Sequence, residues 1–107
     1  MTRYPRIVFH PSHNDQSKEE MTYRGYVSHV YVVTEGDHYF PVFFYAPVRL
    51  GQDLDEEIKH GRPFIAEPGM IVVPEVTLEA MTKAAEGLYA EGYFDHFVSV
   101  QPEPGAA

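Results

Sequence analysis

The chain is expected to be an α+β domain, a two-layer sandwich in which a mainly antiparallel sheet of four to five strands carries two helices on one face. Three observations predict it. Residues 26–45, YVSHVYVVTEGDHYFPVFFY, hold two runs dense in β-branched and aromatic residues around a short polar break at Glu35-Gly36-Asp37-His38, the signature of a β-hairpin. Further on the apolar spacing changes to a helical period, first at Leu50, Leu54 and Ile58 and then along LEAMTKAAEGLYAEG. Short apolar runs at both ends offer additional strands.

The first strand is expected within RYPRIVFH, residues 3–10, with Pro5 near its start, where a missing amide donor does least harm. Residues 10–20, HPSHNDQSKEE, are polar without apolar periodicity and read as an exposed loop. The first hairpin strand then spans residues 21–34, kinked at Gly25, and the second residues 39–48. A two- or four-residue turn puts Thr34 opposite Tyr39. Side chains alternate, so Val27, His29, Tyr31 and Val33 join Phe40, Val42, Phe44 and Ala46 on the more apolar, core-facing side. Tyr26, Ser28, Val30, Val32 and Thr34 share the other face with Tyr39, Pro41, Phe43 and Tyr45. A three-residue turn would shift this register by one and exchange the faces. Pro41 favours an edge strand or a bulge.

The first helix is expected to be short, with Asp53 and Glu56 at capping-box spacing and Gly61 placed to end it. In FIAEPGMIVV, residues 64–73, the segment Met70–Val73 has four apolar residues in succession and reads as a central strand buried on both faces. Thr77 is the strongest helix start in the chain, a hydroxyl cap followed by Glu79 in the first turn. Leu78, Met81, Ala85, Leu88 and Tyr89 then form one stripe, and Gly92 suits the left-handed position after the helix. Phe97–Val100 is a candidate final strand. Residues 1–101 are expected to form one domain and residues 102–107, PEPGAA, a disordered tail.

Composition excludes several functions. With no cysteine there is no disulfide framework, thiol nucleophile or thiolate metal site. The formal charge of −8 is uneven: residues 1–34 carry a net +1 and the remainder −9. A surface of that sign disfavours nucleic acid and anionic membranes, which need a basic footprint, and permits a basic protein partner. With no apolar leader and no long apolar run, a soluble cytoplasmic protein of the small acidic bacterial type is expected. Phosphate-cradling glycine loops, G-x-S-x-G elbows and zinc-protease helices are absent from the sequence.

What remains is a set of candidate surfaces. The chain has eight tyrosines and seven phenylalanines, and eight of these rings lie between Tyr23 and Tyr45. Tyr26, Tyr39, Phe43 and Tyr45 fall on one expected face, and tyrosine is enriched at interfaces. Asp53, Asp55, Glu56 and Glu57 form an acidic helix start suited to a cationic partner. These features fit a non-enzymatic interaction domain, needing no cofactor, that engages a protein partner or a second copy of itself, with an immunity- or inhibitor-like role as one version. An alternative is a small enzyme or ligand-binding protein with a pocket between sheet and helices around His29 and Tyr31, since imidazole titrates near neutrality beside phenols that can relay protons. A third reading makes His10, His13 and Asp15 metal ligands.

Overall fold

A computed structural model describes residues 4–101. A four-stranded, mostly antiparallel sheet in the order β1-β2-β3-β4 is combined with three α-helices, which gives the α+β class. The strands are β1 (Arg6–Phe9), β2 (Tyr26–Thr34), β3 (His38–Tyr45) and β4 (Met70–Val72), the last parallel to β3. The helices are α1 (Asp15–Arg24), α2 (Pro47–Lys59) and α3 (Leu78–Ala90), followed by a 3-10 turn at Tyr93–His96. Among the described residues no helix is long and apolar enough to cross a membrane. The expected tail, residues 102–107, lies outside the described residues.

Helix α1 replaces the expected polar loop, and the hairpin strand begins at Tyr26 rather than Met21. Its ends are set locally. Asn14 accepts from the Ser17 amide at 2.8 Å while Ser17 Oγ takes the Asn14 amide at 3.0 Å, a reciprocal capping box. Gly25, at φ 69°, closes the other end with its amide on the Met21 and Thr22 carbonyls. Helix α2 is likewise longer than expected. It starts at Pro47, where a missing donor costs nothing, so Asp53 lies in mid-helix and caps nothing. Helix α3 begins as expected, with Thr77 Oγ1 accepting the Ala80 amide at 3.1 Å.

The core cluster unites Val27, Val30 and Val32 of β2, Phe40, Val42 and Phe44 of β3 and Ile71 of β4 with Met21 of α1, Met81 and Ala85 of α3, and Phe94. Met81 has no exposed surface, and burying such a side chain contributes roughly 1.5–3 kcal/mol. Helix α2 gives no buried residue, and Leu78 and Tyr89 of the α3 stripe are exposed. A second cluster on the opposite face joins Val8, Tyr31 and Val33 with Tyr4 and Tyr39.

Two backbone details produce this division. The hairpin turn has three residues, Glu35–Asp37, so Thr34 faces His38 and Val33 faces Tyr39. Ser28 and His29 then lie together between the pairs Val27↔Phe44 and Val30↔Val42, opposite the single Phe43, as a β-bulge. The turn moves Val30 and Val32 to the core and Tyr31 and Val33 away from it, and the bulge resets Val27 and Tyr26 beyond it. His29 is therefore exposed rather than in the core, while Tyr31 and Val33 are buried as expected but in the second cluster instead of under the helices.

Strand β4 is an edge strand with Val72 half exposed, not a central one. Strand β3 is internal, yet Pro41 fits it. Tyr39 O receives the Val100 amide and the Phe43 amide donates to Gly69 O, so odd-numbered β3 residues direct their polar atoms away from β2. Pro41 therefore lacks a donor on a side that β4 reaches only from Phe43 onward. The expected last strand reduces to one bridge, Tyr39↔Val100.

Candidate functional site

The bulge brings His10, His13 and His29 together. His29 sits at φ 57°, a left-handed conformation that costs a residue with a Cβ about 1 kcal/mol. Its carbonyl accepts the His10 amide at 2.9 Å, and the preceding Ser28 carbonyl accepts from His13 Nε2 at 2.7 Å. The His29 ring is exposed, with Nδ1 2.9 Å from Ser28 Oγ and the His10 ring 5.9 Å away.

The same contacts account for the expected metal ligands. His13 Nδ1 lies 3.1 Å from Ser17 Oγ, so both of its ring nitrogens are engaged in holding α1 against the bulge. His10 Nδ1 accepts the Ser12 amide at 3.0 Å, and Asp15 occupies the first turn of α1. The geometry therefore does not assemble His10, His13 and Asp15 into a ligand set. Among the described residues, no group of three or more histidine and carboxylate side chains is placed to hold a metal ion.

Beside the bulge is an open cleft of about 540 Å³, on the face away from the core helices. Tyr26, His29, Tyr31 and Phe43 line its sheet side, the Glu67-Pro68 turn one rim, and Phe97 and Val98 the other. The expected His29/Tyr31 pocket and part of the expected tyrosine face thus belong to one concavity, although it is not between sheet and helices. Tyr26, Phe43 and Tyr45 form a ring cluster with centroid separations of 4.7 Å for Tyr26–Tyr45, 5.9 Å for Phe43–Tyr45 and 6.4 Å for Tyr26–Phe43. Tyr39 is not part of it and packs edge-on against Tyr31 at 5.7 Å.

A second cavity, of about 280 Å³, lies between α2 and the chain leading to β4. Asp53, Glu56, Glu57 and Glu67 line it with Tyr45 and Arg62. Asp55 is exposed and outside it. The Tyr45 hydroxyl donates to Asp53 Oδ2 at 2.9 Å, and Arg49 Nε donates to Asp53 Oδ1 at 2.9 Å. The Arg49 guanidinium also stands over the Tyr26 ring, 5.4 Å from its centroid. Burial, then the hydrogen bond to Asp53 and the charge of that carboxylate, push the Tyr45 phenol above its ordinary value. Glu57 pairs with Arg62 at 3.6 Å, and Glu56 lies 3.4 Å from His60 and 3.8 Å from Lys59.

The two cavities meet. Glu67 lines both, and the rings of Phe43 and Tyr45, neighbours on one face of β3, join their floors. Sequence reasoning missed Arg49, Arg62, Glu67, Phe97 and Val98. Of these only Glu67 had a local signal, since a Glu-Pro-Gly turn next to a strand start marks a fixed bend. The chain matches no family model, no curated protein and no solved structure.

Proposed function

We propose that this is a non-enzymatic interaction domain that recognises a basic segment of a partner protein across the acidic cavity and the adjoining ring cluster. The observation that carries the reading is the junction of the two surfaces at Tyr45 and Glu67. Four carboxylates line the cavity and Arg49, Arg62 and Lys59 pair with three of them, so the wall keeps a net negative charge that a lysine or arginine entering it would complement. The neighbouring rings accept the apolar stem of that residue or an apolar neighbour, and Arg49 over Tyr26 shows the contact already made within the chain. Phe43 and Tyr45 are two residues apart on β3, a spacing of roughly 7 Å. An extended segment would match it with a basic and an apolar residue two to four positions apart. A second copy of the chain is a poorer occupant, because it would set acidic α2 surface against surface of the same sign.

The test is selection from a random peptide library on the immobilised protein, wild type against an Asp53→Asn/Glu56→Gln/Glu57→Gln variant. Bound sequences should be enriched in Lys or Arg near an aromatic or aliphatic residue, and the enrichment should vanish with the variant. Selection without a cationic preference, or one the variant retains, overturns the reading.

A further inference from the structure

We propose that the cleft beside the bulge is a binding site for a small, neutral, planar aromatic molecule carrying a hydroxyl group. It adjoins the acidic cavity at Glu67 but uses other side chains, with Tyr26 and Phe43 in its wall and none of Asp53, Glu56 or Glu57.

His29 occupies a position that favours glycine. A bulge residue in the left-handed region is free of strain when it is glycine, yet the chain places an imidazole there. The ring does little for the fold in return. It is exposed, its neighbours are Ser28 Oγ and the edge of His10, and among the described residues its Nε2 has no hydrogen-bond partner. Residues held in strained backbone conformations cluster where ligands are held. Here the residue at the strained position lines a cleft of about 540 Å³, within the size range of small-molecule sites.

The walls define the ligand. Tyr26 and Phe43 on the sheet side and Phe97 and Val98 on the rim give the cleft a largely aromatic, apolar lining, which suits a planar apolar body. No lysine or arginine lines the cleft and Glu67 stands on its rim, so an anion is disfavoured. Ser28 Oγ–H donates to His29 Nδ1 in one tautomer and accepts from Nδ1–H in the other, which makes Nε2 a donor in the first and an acceptor in the second. A hydroxyl both donates and accepts, and so pairs with either.

The test uses 2-naphthol as the probe with the full chain, its fluorescence titrated at pH 7.5, and 2-naphthoate as the anionic control. Wild type should bind 2-naphthol saturably at one site and 2-naphthoate at least roughly tenfold more weakly. His29→Gly removes the ring while relaxing the backbone, so its melting temperature should equal or exceed that of wild type while 2-naphthol binding weakens roughly tenfold, the loss of one hydrogen bond and its ring contact. Should His29→Gly not fold, His29→Asn, which tolerates the same backbone, replaces it with the same expected loss. The Asp53→Asn/Glu56→Gln/Glu57→Gln variant should bind 2-naphthol as wild type does, which separates this site from the peptide surface. Absence of saturable 2-naphthol binding to wild type, equal affinity for 2-naphthoate, or undiminished binding by the folded His29 variant would each overturn the proposal.

Discussion

Replacing Gly69 by alanine should cost the fold about 2–3 kcal/mol. Gly69 sits at φ 82°, where a residue with a Cβ is strained by about 1 kcal/mol. An added Cβ would also stand 2.7 Å from Pro41 O and 3.3 Å from Val42 Cα. Both neighbours are backbone of an internal strand, so no rotamer change can relieve the contact. The turn has to move, and with it the bond from the Phe43 amide to Gly69 O, 3.0 Å long, whose loss adds about 1 kcal/mol. At roughly 4 °C per kcal/mol for a chain of this size, the melting temperature should fall by about 8–12 °C. Gly61→Ala is the internal control: φ is 84° and nothing lies within 4 Å of the added carbon. It isolates the conformational part and should lower the midpoint by only about 4 °C. Calorimetry, with urea unfolding to check that the slope is unchanged, gives both values. Equal losses in the two variants would refute the close-approach argument.

Two further perturbations test the local chemistry. The Tyr45 phenol is raised in the folded state, so the native state holds its proton more tightly; this contribution is complete below about pH 10 and fades as pH rises further. Melting temperatures should therefore decline above about pH 10, and Tyr45→Phe should flatten that decline. Thr77→Ala removes the acceptor for the Ala80 amide and should destabilise by about 1 kcal/mol in urea titration, with Thr77→Ser restoring most of it.

What could be read from the sequence was whatever is encoded locally and strongly. Thr77 and Gly92 bracket α3 because a hydroxyl cap and a left-handed glycine (φ 77°) act within one turn of the helix end. The hairpin was visible in its β-branched and aromatic runs. Helix α1 was hidden because Met21 is its only buried residue, so hydrophobic periodicity had almost nothing to report. The Asn14–Ser17 box and Gly25 were its real signals, and the box uses serine where glutamate or glutamine is usual. The face assignment failed at two single-residue events, the three-residue turn and the bulge, each of which inverts parity along a strand. Four apolar residues at Met70–Val73 implied a central strand, whereas β4 is an edge strand and Val72 is half exposed. The cavities were out of reach because Glu67, Phe97 and Val98 meet the hairpin only through tertiary packing.

The aromatic cleft draws its walls from four stretches of chain, around residues 26–31, 41–43, 67–68 and 97–98. No hairpin or helix contains it, so closing it requires contacts of long sequence separation that cannot form early in folding. Occupancy is then coupled to completion of the whole topology: a molecule bound there should slow global unfolding, not merely quieten a loop, by an amount set by its concentration relative to its dissociation constant. Ligand and fold become thermodynamically linked through the C-terminal segment as well, where the Val100 amide docks on the Tyr39 carbonyl.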